Sequence, residues 1–465
     1  MVVSRRVLLR QAVGAVPGAA TVFLAGCALA KSARPTAALL ASSAPSAGDL
    51  VDIQTSSAFF NSVPQLMEGF NAAQRNVVLK RPVYFVQDPF DLEPMSQDLA
   101  DQLYPQALPL DVPLRKINFD PSTLLPGSVA AFTRQGHVYF LPITQYPWCV
   151  RWRTDAFQAA GLPDPDPRWT LGDFEGTCEE LQGLAASGRL SGLHAALGPV
   201  FGQYPVRDAK GRLQATFFGA GSAGGGLWQG FAVGFGGSLV QAGRFRLTDP
   251  NTLAGLGHLV DMARRFALSP DKVPITVTGM AGFTDRYAME FMQYDPLAHP
   301  GPLHLFEYDA RWHYARLPVF PTNPVIPAAF QGQGLVHRPW EGPPPAGSVI
   351  TRYVNGTAAA LLWLYGTEAQ RLLMAAGVAP VTADSTAQGA FWSTVDPAAR
   401  SVGDWQHFVN YAEGWPAVPP ATIVAQALEG AVRDPGTLGQ QMAQAEQQMN
   451  AWMDSQTAVT PSAQA

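Results

Sequence analysis

A flat aromatic ring beside a side-chain amide is the chemistry that grips a polyhydroxylated solute. The ring stacks on the C–H face, and amide or carboxylate groups meet the hydroxyls at the rim. The chain supplies both at Gln145-Tyr146-Pro147-Trp148, in a sequence of 465 residues with 11 tryptophans and 12 tyrosines. For any single aromatic the competing role is core packing, the common fate of large rings. Both roles stay open on these residues alone. Catalytic chemistry is harder to place. Gly219-Ala220-Gly221-Ser222-Ala223-Gly224 matches G-x-G-x-x-G after a strand-like run. Gly225-Gly226 oppose the helix that a dinucleotide site needs, and no acid follows before Asp249. The same loop is one glycine short of a nucleophile elbow. There is no H-E-x-x-H and no C-x-x-C, and the eight histidines are dispersed, so neither a metal nor a cofactor is expected. Glycoside hydrolysis needs two carboxylates across one cleft. Glu290, Asp285, Asp88 and Asp91 could supply them, but no spacing pairs them.

Positioning the aromatic patch falls to the segments around it. Val138-Tyr139-Phe140-Leu141 reads as a strand that Pro142 stops, and Cys149-Val150-Arg151-Trp152 as a second β-rich run. Asp155 opens a short helix that Gly161 closes, with Pro163 just beyond. Two such runs are either neighbours in one sheet or a passage between two lobes, with the patch lining the cleft. Elsewhere, Ser62 to Gln74 is an amphipathic helix with Val63, Leu66, Met67 and Phe70 on one face. Thr170-Leu171-Gly172-Asp173 is a capping box with Asp in place of Glu, ahead of a helix burying Phe174, Cys178, Leu181 and Leu184. Asp249 caps a helix to Leu268, with Leu253, Leu256, Val260 and Phe266 inward. Ala288 to Tyr294 and Tyr314 to Val319 are short strand candidates. Helices broken at Gly366-Thr367, then Ala421 to Val432 and Pro435 to Asp454, fill the last third. Alternating strands and helices give an α/β protein.

Composition bounds the rest. The chain is 47% hydrophobic and 14% charged with a net charge of −5, which provides for real cores and argues against a nucleic-acid partner. Ser4-Arg5-Arg6-Val7-Leu8-Leu9-Arg10 is a charged n-region, and Gln11 to Gly26 is an uncharged h-region short of the ~20 residues of a membrane span. Leu24-Ala25-Gly26-Cys27 resembles a bacterial lipobox, which makes Cys27 the lipidated first residue of the mature protein. The n-region also resembles a twin-arginine export signal, departing from it at Leu8 and Arg10. Residues 28–48 read as a flexible tether and 456–465 as a similar tail. Cys149 and Cys178 remain; they could pair, or Cys178, on an apolar helix face, could be a buried free thiol.

The order of phrases resembles the extracellular solute-binding proteins of ABC importers, in the sugar-binding branch typified by maltose-binding protein. Gly136-His137-Val138-Tyr139-Phe140-Leu141-Pro142 is similar to that family's "GKVYGLPV". Trp152-Arg153-Thr154-Asp155-Ala156-Phe157 through Gly161-Leu162-Pro163 is similar to "YYNKDLFEKAGLP". Gly236-Gly237-Ser238-Leu239-Val240 resembles "GGSLVD", Gly366-Thr367-Glu368-Ala369-Gln370 "LSPEAQ", and Ala379-Pro380-Val381 the "PPVR" turn. The resemblance implies a two-lobed periplasmic-binding-protein-like α/β fold of class II type, closing over a solute in an interlobe cleft. It implies a first lobe of 49–148 plus 285–328, and a second of 149–284 plus 329–455. It adds Trp228, Tyr294, Phe330, Gln331 and Trp392 to Gln145, Tyr146 and Trp148 as ligand-binding candidates. A non-enzymatic monomer is then expected, lipid-anchored outside the cytoplasm, carrying a sugar or oligosaccharide to permease subunits. The alternatives are an exported lipoprotein enzyme acting on polysaccharide, and a same-fold binder of a polyamine or glycerophosphodiester. Arg151, Arg153 and Arg286 keep an anionic ligand open.

Overall fold

A computed structural model describes residues 51–54, 63–73, 77–80, 90–96, 107–116, 118–125, 127–134, 136–201, 203–207, 213–218, 220, 226–269, 284–294, 311–337, 357–395, 397–403, 408–410 and 422–458. The lipobox, the tether and most of the glycine loop lie outside them. In chain order the elements used below are strand β1 (Val51–Gln54), helix α1 (Pro64–Ala73), and strands β2 (Val77–Lys80), β3 (Phe90–Ser96) and β4 (Ala107–Leu108). Then come β5 (Phe140–Arg153), α2 (Thr154–Ala160), α3 (Leu171–Ala186), β6 (Ala195–Leu197), α4 (Leu227–Gly234) and α5 (Pro250–Phe266). The chain continues with β7 (Tyr287–Gln293), β8 (Trp312–Arg316), β9 (Ile326–His337), α6 (Thr367–Ala375) and α7 (Ser385–Thr394). It closes with β10 (Phe408–Asn410), α8 (Thr422–Arg433) and α9 (Leu438–Ala458).

One eight-stranded sheet runs through the molecule in the order β10-β9-β5-β7-β6, with β8 also on β5 and β3 and β4 also on β9. β5 is its spine. The first half pairs antiparallel with β9, Phe140 opposite Gly334 and Pro147 opposite Ala328. The second half pairs with β7 (Trp148 opposite Gln293) and with β8 (Arg153 opposite Trp312). Because β7 and β8 meet the same residues of β5, they occupy its two opposite edges.

The expected break at Pro142 does not occur: one strand of 14 residues runs from Phe140 through Pro142 to Arg153, while Val138 pairs with Thr133 in a separate short ladder. Ile143 is an extra residue on β5, between Thr144 opposite Gln331 and Pro142 opposite Gly332, and this bulge absorbs the proline, which lacks a ladder donor. Its carbonyl instead accepts the Tyr365 hydroxyl. Local punctuation holds elsewhere. Gly161 caps α2 at φ 73. Thr170 and Asp173 exchange side-chain-to-backbone bonds at 3.2 and 2.8 Å, the capping box of α3. Asp249 Oδ1 accepts from the N–H groups of Asn251 and Thr252, both at 3.0 Å, and Pro250 starts α5.

Two hydrophobic cores result. The first gathers Leu66, Phe70, Phe132, Phe140, Ile143, Phe330, Leu361, Leu373 and Trp392. The second gathers Trp148, Trp152, Phe174, Phe231, Leu256, Met289, Phe320, Leu428 and Met442. Residues 326–335 and 358–408 that are buried pack in the first core, whereas Ala288, Met289, Phe291 and Phe320 pack in the second. The cause is the ladder: β9 returns beside the first half of β5, and β7 and β8 beside the second half. Cys178 is a buried free thiol in the second core and Cys149 one in the first, so the two do not pair. Burial pushes both thiols well above the usual thiol range. Among the described residues no helix is long and apolar enough to cross a membrane.

At the far end of β5 four charged groups clasp three strand ends. Arg153 meets Asp155 in a fork, at 3.0 and 2.7 Å, and donates to the Asp285 carbonyl at 2.7 Å. Arg311 donates to Asp285 at 2.9 Å. Partial burial pushes the Asp155 carboxyl up, but the bonds from Arg153 and the Ala156 N–H, with Arg311 nearby, outweigh it and hold the group below the usual carboxylate range. A depressed carboxylate stabilises the fold above its unfolded value and loses that contribution as pH falls through its folded one. Asp155→Asn should therefore lower stability by less than about 1 kcal/mol near neutrality, since the pair is part-exposed. Urea titrations should show that difference shrinking below about pH 4.

Candidate functional site

The candidate residues cluster where β5 passes from one core to the other, and strand geometry divides them. Successive side chains alternate in direction. Gln145 and Cys149 therefore face the first core, while Tyr146, Trp148, Val150 and Trp152 face the second.

On the first side the structure brings together Gln145, Tyr294, Phe330 and Trp392. Gln145 is fully buried, and its Nε2 donates to the Pro380 carbonyl at 2.8 Å and to Gln388 Oε1 at 3.3 Å. Gln388 donates in turn to the carbonyls of Pro380 and Thr382, both at 2.8 Å, and accepts from Trp392 Nε1 at 3.1 Å. These carbonyls accept only, so they fix both amide orientations. Tyr294 stands between Tyr314 and Trp392, with ring centroids 5.2 and 5.7 Å away, and its N–H donates to the Pro147 carbonyl at 2.8 Å. Phe330 lies opposite Gln145 in the ladder and is buried. This set packs and wires the first core. Gln331 is opposite Thr144, and its side chain lies outside the described residues.

On the second side stand Tyr146, Trp148 and Trp228. Tyr146 is half-buried against the second core. Trp148 is 4% exposed and Trp228 2%. Gly226, the N-cap of α4, has φ +117, which favours glycine, and a Cβ there would fall 2.1 Å from Trp148 Nε1. The tail of the glycine loop thus lies directly against the indole edge.

Further along β5 stands a half-buried charged group that spacing alone did not mark. Arg151 pairs with Glu290 across the ladder and lies 4.3 Å over the Trp312 ring. Tyr287 donates its hydroxyl to Glu290 at 2.6 Å. Burial pushes the Tyr287 and Tyr314 hydroxyls well above the usual phenol range. Burial would lower the Arg151 guanidinium, but Glu290 beside it raises it overall. No sequence signal marked the pair, because the register that sets Arg151 opposite Glu290 is fixed by the ladder between two distant strands. The pairing consumes the groups that kept other chemistries open. Arg151 and Arg153 are matched by carboxylates, and Arg286 Nη1 lies 3.3 Å from His194. Glu290 and Asp285 are held by arginines rather than set across a cleft. Asp88 lies outside the described residues, as does the side chain of Asp91. Among the described residues no group of three His, Cys, Asp or Glu could hold a metal ion.

No family model and no curated protein sequence matches the chain. Solved structures do. A substrate-binding protein of an ABC transporter from Listeria monocytogenes, in complex with cycloalternan, aligns at TM-score 0.60 and 14% identity, covering 87% of this chain and 99% of its own. The cyclic alpha-maltosyl-1,6-maltose binding protein of Arthrobacter globiformis aligns at TM-score 0.61 and 12% identity, covering 87% and 98%. UgpB of Mycobacterium tuberculosis, in complex with glycerophosphocholine, aligns at TM-score 0.59 and 17% identity, covering 88% and 100%. The chain has the α/β fold of these solute-binding proteins over nearly all its described length.

The Arg151–Glu290 pair gives a direct check on this region. Glu290→Ala leaves a half-buried guanidinium unmatched and should destabilise by about 1–3 kcal/mol, below the full cost of breaking a buried pair. Replacing both residues with methionine should recover most of that loss, read by denaturant unfolding.

Proposed function

We propose that the chain is a lipid-anchored solute-binding protein of an ABC importer, with no catalytic step. It captures a sugar or oligosaccharide where β5 crosses between the cores and delivers it to permease subunits. The observation that carries this reading is the spine itself, one strand shared by two separate cores, in a fold that neighbouring structures use for cyclic and linear oligosaccharides. Tyr146, Trp148 and Trp228 on the second-core side are the ligand contacts. Gln145, Tyr294, Phe330 and Trp392 support them from behind. The carboxylate partners of Arg151 and Arg153 weigh against an anionic solute at those two residues, and the arginines on Glu290 and Asp285 weigh against a polyamine or glycosidase site built on that pair.

The test is a thermal-shift and tryptophan-fluorescence screen of sugars, polyamines and glycerophosphodiesters. A binding solute at a hundred times its Kd adds about 2.7 kcal/mol to stability and should be recovered unconsumed. Turnover of a sugar, or Trp148→Ala with every binding signal intact, would refute the reading. For the anchor, Cys27→Ser should abolish incorporation of a labelled fatty acid and release the protein from the membrane fraction.

A further inference from the structure

Trp148 has a flat face that could stack on a solute. Its surroundings assign it a different use. The indole is buried, yet its Nε1 has no hydrogen-bond partner. That nitrogen is aimed at Gly226, the N-cap of α4. The N–H groups of a helix's first turn have no partner within the helix and carry its positive end. Gln229 Oε1 takes the Gly226 N–H and thereby caps one of them. α4 has eight residues, and Trp228 lies in its first turn. A buried indole donor with no acceptor, set against a helix start, carries a desolvation penalty that an incoming acceptor would remove.

We infer that Trp148 Nε1 and the N-terminus of α4 form a donor corner that takes an acceptor oxygen of a neutral polyhydroxyl solute. Trp148 then works through its edge as a hydrogen-bond donor rather than through its face. The corner has no formal charge, because Arg151 faces the opposite side of β5 and is held by Glu290. An uncharged donor pair suits a hydroxyl, ring or glycosidic oxygen better than a phosphate, whose charge would ask for a guanidinium or ammonium. Gly226 is the enabling residue: any side chain there would occupy the space of the indole nitrogen. The inference rests on the reading that the crossing binds a solute.

The experiment uses the full chain with ¹⁵N-labelled indoles and five probes: maltose, maltotriose, ribitol, glycerophosphocholine and inorganic phosphate. At least one neutral probe should move the Trp148 indole N–H resonance, identified by its absence in Trp148→Phe. That variant keeps an aromatic face but loses the donor, so it should bind the same probe about tenfold more weakly, the usual worth of one hydrogen bond. Equal binding by the wild type and Trp148→Phe would overturn the donor role and leave stacking. A probe that raises the melting temperature without moving the Trp148 resonance would overturn the corner while sparing the capture reading. A response to phosphate alone would overturn the neutral-solute assignment. Failure of every probe to bind would remove the capture reading and the corner together. If Trp148→Phe does not fold, the wild-type spectrum decides alone, with Trp148 assigned through its contact with Gly226.

Discussion

The structure depends on the backbone ladder of β5. Its first half is held by β9 and its second by β7 and β8, so a single strand is committed to two cores. Its register is fixed from both sides. A slip of one residue would send Trp148, Val150 and Trp152 into the first core and Gln145 and Cys149 into the second. Such a slip would strip a buried amide of its carbonyl partners and expose two indoles to the wrong volume. The aromatic candidates follow from this constraint, because parity along the spine decides which core each one serves.

Much of the fold was legible because its punctuation is local. The Thr170–Asp173 box, the Asp249 cap and the Gly161 terminus each depend on a few adjacent residues, and each forms as read. The expected stop at Pro142 gives way because Ile143 bulges out of the ladder beside it, and the partner strand that sets this register lies nearly two hundred residues away. Which half of β5 a late strand pairs with is likewise a long-range choice that no local residue pattern marks. The division of Gln145 from Tyr146 and Trp148 was available in the sequence, since residues of opposite parity on a strand face opposite ways. Gln388 was not. A glutamine inside a helix carries no local sign that its amide closes a network with Gln145 and Trp392.

Electrostatics sharpen the picture by subtraction. A chain with several arginines near its crossing could have served anions. The structure instead matches Arg151 with Glu290 and Arg153 with Asp155, leaving that stretch of the spine without net charge. Such pairs add little net stability at the surface and more cost than gain when partly buried, but they fix which strand edges meet.

Pro142 and Pro147 lie five positions apart in the spine, and neither has an N–H to give. Backbone bonding there is thinned at two points, both near the passage between cores. A ribbon bends first where its stitching is sparse. Any rocking of the two halves against each other is therefore directed into a crease between those prolines. Gln145 and Tyr146 sit on that crease, and Trp148 at its margin.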